Sequence, residues 1–162
     1  MPEAKTRQAV ARDRRQGKSA STQAGEFVRE EIEHVREGKH GARSAKQAIA
    51  IGLSKARRAG VKAPVSKTAS KSTRKKAAQD EKAATHRKKA SPKRSHATSR
   101  ALKKEGHAAA TTKALSRQAN KSASKRTSAS RSAAAKKAVR TKGAAGRSAA
   151  AKKAARTRKA HA

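Results

Sequence analysis

The sequence predicts a mainly α chain: a short helical hairpin, about residues 22–60, flanked by largely disordered basic segments that turn helical on binding. Three observations carry this. Large apolar residues gather in one stretch, where Phe27, Val28, Ile32, Val35, Ile49, Ile51, Leu53 and Val61 lie. From Lys62 onward the large aliphatics are only Val65, Leu102, Leu115 and Val139. Charge divides the same way: +4 over 1–24, +3 over 25–61 and +28 over 62–162, where 31 Lys or Arg face Asp80, Glu81 and Glu105. Ordering a residue costs about 1–2 kcal/mol of backbone entropy. A highly charged segment of low hydrophobicity cannot offset that by burial and is expected to be disordered when free. The chain thus divides into a basic N-terminal segment 1–21, a hairpin 22–61 and an Ala/Lys/Arg/Ser-rich tail 62–162.

Residues 3–16 contain helix formers but almost no apolar face, so a helix there is expected to be exposed and frayed. In the hairpin, Val28, Ile32 and Val35 fall at i, i+4, i+7 beside Phe27, one face of a helix. Thr22 or Ser21 can cap it, Glu26, Glu30 and Glu31 suit its N-terminal half, and Gly38 ends it. After a turn through Lys39–Arg43, Ser44-Ala45-Lys46-Gln47 has the form of a capping box. Ala45, Ala48, Ile49, Gly52, Leu53 and Ala56 then make a second stripe, closed by Gly60. Ile49, Ile51 and Leu53 also alternate as in a strand, but the box, the alanines and the terminal Gly favour helix. About 35 residues is fewer than the roughly 40 at which unassisted domains become rare. The hairpin is therefore expected to be marginal alone, or to be completed by homodimerisation or by a ligand.

The tail closes on a repeat. Arg131-Ser132-Ala133-Ala134-Ala135-Lys136-Lys137-Ala138-Val139-Arg140-Thr141 returns sixteen residues later as Arg147 to Thr157, with Gly143 and Gly146 between the copies. Each copy has a Ser to cap it and cations at its C-terminal end. Each is also shorter than the roughly 12–15 residues an isolated helix needs in water, so helices are expected to form when phosphates neutralise the lysines and to fluctuate otherwise.

A tail this basic points to a polyanion bound through its backbone with release of counterions. Candidate phosphate contacts are Arg43, Lys46, Lys55, Arg57 and Arg58 around the second helix. In the tail they are Lys75, Lys76, Lys88, Lys89, Lys93, Arg94, Lys103 and Lys104, and the repeat clusters Lys136, Lys137, Arg140 and Lys152, Lys153, Arg156. Ser91-Pro92-Lys93-Arg94 has a turn-forming proline that could present two cations to a narrow minor groove. The expected partner is duplex DNA, with RNA or the ribosome as the alternative. A further alternative is a hairpin that docks a protein partner while the tail tethers it to the nucleoid. Base-specific reading has little to work with beyond Gln47 and the arginines.

Other classes are disfavoured. The chain has no cysteine, and no run of the roughly 18–20 apolar residues of a membrane span. The basic helices also lack the apolar face a membrane surface requires. A secretory signal is not expected, and the localisation expected is cytoplasmic, on the nucleoid. Glu31-Ile32-Glu33-His34 has the spacing of di-iron bundle sites, which need two such motifs and two more glutamates. One copy reads as an acidic, solvated face, whose Glu26, Glu30, Glu33 and Glu37 could engage the basic tail. Gly38-Lys39-His40-Gly41 lacks the spacing of a phosphate loop. No nucleophile, base and orienter fall into a recognisable set, so neither enzymatic activity nor a metal or other cofactor is expected.

The stretch from Gly25-Glu26-Phe27-Val28 through Lys46-Gln47-Ala48-Ile49-Ala50-Ile51-Gly52-Leu53-Ser54 to Ala56-Arg57-Arg58-Ala59-Gly60 resembles a small bacterial domain of unknown function. The tail is similar to the Ala/Lys-rich arms of bacterial histone H1-like proteins. Together the resemblances imply a bacterial origin and a DNA-associated role: non-specific binding that neutralises phosphates and bridges or compacts DNA.

Overall fold

The computed structural model describes residues 2–66, 68–86 and 91–160. In chain order the helices are α1 (Ala4–Arg15), α2 (Ala20–Arg36), α3 (Ala45–Arg58), α4 (Lys71–Thr85), α5 (Pro92–Lys103), a 3-10 turn at Ala108–Ala110, α6 (Thr112–Ser124) and α7 (Ser128–Ala160). Among the described residues there is no strand. The chain divides into two compact units, Met1–Gln118 and Ala119–Ala162.

This overturns the expectation of a hairpin between disordered flanks. In the first unit α2 packs against α3 and α1, α3 packs against α4, and the 3-10 turn seats on α2 and α3. Two apolar clusters hold it together. One joins Val10, Ala24, Phe27, Ala56, Val61 and Ala63, with Ala20 and Leu53 at its edge. The other joins Ile32, Val35, Ala42, Ala48, Ala109 and Ala110, with Val28 and Leu115. The hairpin stripe is therefore completed from both sides within the same chain, by the N-terminal segment and by residues of the tail. The physical reason is alanine, which adds little to a tally of large side chains. It also lets helix axes approach closely, so several small contacts replace a few large ones. The stripe that made a dimer or ligand necessary is already covered.

Local signals explain the helix ends. Ser19, rather than Ser21 or Thr22, caps α2 by accepting from the Thr22 amide. At the other end the Lys39 amide bonds to the His34 carbonyl and the Gly38 amide to the Val35 carbonyl, a Schellman close. Ser44 accepts from the Gln47 amide at 3.2 Å, while Gln47 Oε1 reaches back to the Arg43 amide at 3.0 Å. The capping box thus holds the turn before α3 as well as the helix start. Ser91-Pro92 is a helix start, with Pro92 in the first turn of α5, not a free turn.

Two close backbone approaches fix the packing. A Cβ on Gly52 would stand 2.7 Å from the Val28 Cα, so only glycine lets α3 lie this near α2. At Gly41 a Cβ would fall 1.8 Å from the Glu105 carbonyl oxygen. There the α2–α3 loop is stitched to the tail: the Gly41 amide donates to the Leu102 carbonyl and the Ala42 amide to that of Gly106. Arg36 Nε adds a bond to the Ala110 carbonyl at 2.9 Å.

In the second unit α7 has no buried residue among those described, and its path breaks at Gly143, at φ 63° and ψ 178°. Thr127 Oγ1 accepts from the Ser130 amide at its start. Ser132 and Ser148, expected as caps of separate short helices, lie inside it. The expectation of a largely disordered tail is corrected by these helices.

Candidate nucleic-acid interface

The surface charge follows from where the acids go. Asp13, Glu30, Glu31 and Asp80 are buried in the first unit. Asp13 takes Lys18 Nζ at 2.8 Å. Glu26 pairs with Arg29, and Arg43 Nε stands 3.6 Å from Glu105. Glu3 takes Lys39 Nζ and His34 Nε2, both at 2.8 Å. Those two hydrogen bonds hold the Glu3 carboxyl down at about 2, and the carboxylate raises Lys39 in turn. Most of the acids thus face inward or sit in ion pairs, and most of the cations are left on the surface. Glu30, at 3% exposure, is not presented to the tail as the solvated-face reading required.

Asp80 shows the pattern most fully. It projects from α4 onto α3, where Ser54 Oγ (2.7 Å) and Arg58 Nε (2.9 Å) donate to it, and Lys76 Nζ of its own helix joins them at 3.1 Å. Burial alone would push its carboxyl up, but these three donors outweigh burial and hold it below the usual carboxylate range.

The cations predicted at the second helix divide accordingly. Arg43 and Lys46 are exposed on the turn and first helical turn of α3. Lys55 is half-buried against Glu31, and Arg58, though tied to Asp80, keeps a side chain 57% exposed. Arg57 is buried and donates to the Ala63 carbonyl at 3.2 Å, so it closes the α3–α4 connection and is not offered to a ligand. Lys75, Lys76, Lys93, Arg94, Lys103 and Lys104 are exposed on α4, α5 and the residue that ends α5. Lys88 and Lys89 lie outside the described residues. In the second unit Lys136, Lys137, Arg140, Lys152, Lys153 and Arg156 are exposed along α7.

The sequence reading missed the cations of α1. Thr6, Ala9, Val10 and Asp13 are its buried face, and the cations fall on the two flanks. Lys5, Arg12 and Arg15 join Arg29 around a depression of about 390 Å³. On the other flank Arg7 and Arg14 join Lys55, Arg58 and Lys82 around an open cleft of about 1020 Å³. Val10, Ala11, Phe27, Ala59 and Ala83 supply apolar lining there, and none of the described residues lining the cleft is acidic. The signal was present as the seven-residue spacing of Arg7 and Arg14 and of Lys5 and Arg12. It becomes readable only once Ala9 and Asp13 are known to face inward. Chemically, both are cationic surfaces able to receive an anionic group.

One further group stands apart. Glu31, His34 and His40 place a carboxylate oxygen and a ring nitrogen from each histidine within 4.8 Å of one another. Glu31 is 0% exposed. The reading of Glu31-x-x-His34 as a solvated face is thereby corrected.

Residues 5–67 match a family of unknown function, DUF6496. This is the stretch whose core residues resembled a domain of unknown function, extended through α1. Neither the curated proteins nor the solved structures give a match to the chain. No helix among the described residues is long and apolar enough to cross a membrane.

Proposed function

We propose that the protein binds duplex DNA with little sequence preference, in the manner of a histone H1-like, nucleoid-associated protein, and bridges or compacts it. The observation that carries this reading is Ala119–Ala162, a unit with 14 Lys or Arg and no acid. Its described cations are exposed, and none of its described residues is buried. Such a surface gains little from folding and a great deal from phosphate, whose condensed counterions it displaces. The first unit adds the flanks of α1 and the start of α3, where surface cations outnumber the acids that remain outside ion pairs. The absence of Tyr and Trp, and the burial of Phe27, leave no platform for stacking unpaired bases, which favours duplex over single strands.

The test is fluorescence anisotropy with two duplexes of unrelated sequence from 50 to 200 mM salt. About ten neutralised phosphates give a slope of log K against log salt near −9 on both duplexes. A slope near zero, or a preference between duplexes above about a hundredfold, would overturn non-specific phosphate binding. Competition by structured RNA at fixed salt, if it displaces the duplex fully, would move the assignment to RNA.

A further inference from the structure

Glu30 and Glu31, neighbours on α2, are 3% and 0% exposed, and Glu30 Oε1 and both Glu31 oxygens lack a hydrogen-bond partner. Lys55 Nζ approaches from α3 at 2.5 Å from Glu31 Oε2 and 3.9 Å from Glu30 Oε1, as an ion contact shared between two carboxylates. Buried charge needs compensation, and one ammonium for two carboxylates leaves the site short of positive charge.

His40 locates the deficit. Its Nδ1 lies 3.1 Å from the Gly41 carbonyl oxygen, which can only accept, so Nδ1 carries the proton. Nε2 then faces Glu31 Oε1 at 3.3 Å. In a neutral ring that sets a lone pair against a carboxylate oxygen, an arrangement that a metal cation held by both atoms would relieve. His34 is held in the complementary way. Its Nε2 donates to Glu3 Oε1 at 2.8 Å, which leaves Nδ1 with the lone pair and completes a carboxylate–histidine pair of the kind that orients metal-binding imidazoles. The two rings meet edge-on, with centroids 6.1 Å apart and planes at 86°.

We propose that Glu31, His34 and His40 bind a divalent transition-metal ion, Zn²⁺ before others, with Glu3 orienting His34. Ligand atoms on one tetrahedral zinc ion stand about 3.4 Å apart, and the pair His40 Nε2 and Glu31 Oε1 already has that separation. The remaining separations among the three ligand atoms lie within 4.8 Å. Two imidazoles and one carboxylate suit zinc and its transition-metal neighbours, whereas magnesium and calcium take oxygen ligands. Lys55 occupies Oε2 of Glu31 and leaves Oε1 to ligate. Three protein ligands leave a fourth position for water. The ion would pin the α2–α3 loop, the same loop that Leu102 and Gly106 hold from the tail side. This inference is independent of DNA binding.

The test uses the full chain without an affinity tag, stripped with EDTA and titrated with ZnCl₂ in nucleic-acid-free buffer. One zinc per chain is expected, together with a melting midpoint that rises on zinc addition and falls back with EDTA. His34→Gln and His40→Gln each weaken binding at least about tenfold. His86→Gln and His96→Gln, at exposed positions away from the cluster, leave it unchanged. Should a ligand variant lose its helical circular dichroism, long-range ¹H–¹⁵N spectra of the wild type decide: the His34 and His40 ring nitrogens shift with zinc while the other four histidines stay. No stoichiometric zinc, equal weakening by His86→Gln, or a His40 ring that is simply an imidazolium at neutral pH with and without zinc would each overturn the proposal.

Discussion

Asp80 and Glu31 are both fully buried carboxylates, and they differ in how much of their charge the protein answers. Asp80 receives three donors, so its removal should cost about 1–3 kcal/mol in urea unfolding of Asp80→Ala. Its pH signature has a definite sign. The folded carboxyl titrates below the ordinary 3.8, so its contribution is complete above that value and is lost as pH falls through the lower, folded one. Wild type should therefore lose stability below about pH 4 more steeply than Asp80→Asn, which carries no titrating group there; equal acid profiles would refute the linkage. Neither role was legible in the sequence. Asp80 reads there as one of three acids in a basic tail, and only the docking of α4 on α3 shows that it belongs to the core. Glu31 and His34 were visible as a spacing, but His40 and Glu3 join them only through the loop and the N-terminal segment. No periodicity reports such a meeting.

At the level of helices, the sequence marks ends better than neighbours. Ser44, Gln47, Gly38 and Gly60 signal where α2 stops and where α3 begins and ends, because capping is local chemistry. What packs on those helices was hidden. α1 shows Val10 as its one large aliphatic, and the segment that seals the second cluster is Ala108–Ala110 with Leu115, three alanines and a leucine amid lysines. Gly52 reads as a weak point in a helical stripe, yet it sits at a close backbone approach of α3 to α2. Gly52→Ala should destabilise by about 1–3 kcal/mol, because the new methyl meets the Val28 backbone and not a side chain that can swing away. A thermal melt unchanged from wild type would show that the helices can separate without cost.

Across the whole molecule, charge and burial are allotted to different parts of the chain. The first unit buries four of the ten acids, and the second has none. Polyanion affinity should then respond to the second unit in proportion to charge. Replacing Lys136, Lys137, Arg140, Lys152, Lys153 and Arg156 by Gln should flatten the salt slope by about 5 on any duplex sequence, since each phosphate contact contributes about 0.9. An unchanged slope would place the phosphate contacts elsewhere. The sequence predicted this much of the candidate interface, because net charge needs no fold to be read; it could not show that Arg57 is spent inside or that α1 contributes two cationic flanks. The alanine core has a calorimetric consequence as well. Heat capacity of unfolding tracks the apolar area newly wetted, and methyl groups closing two small clusters wet little of it. Differential scanning calorimetry should return less than about 12 cal/mol/K per residue, the low end for globular proteins. The resulting free-energy curve would be shallow, with a broad temperature optimum and cold denaturation displaced to lower temperature than in proteins of equal maximal stability built on leucine and phenylalanine.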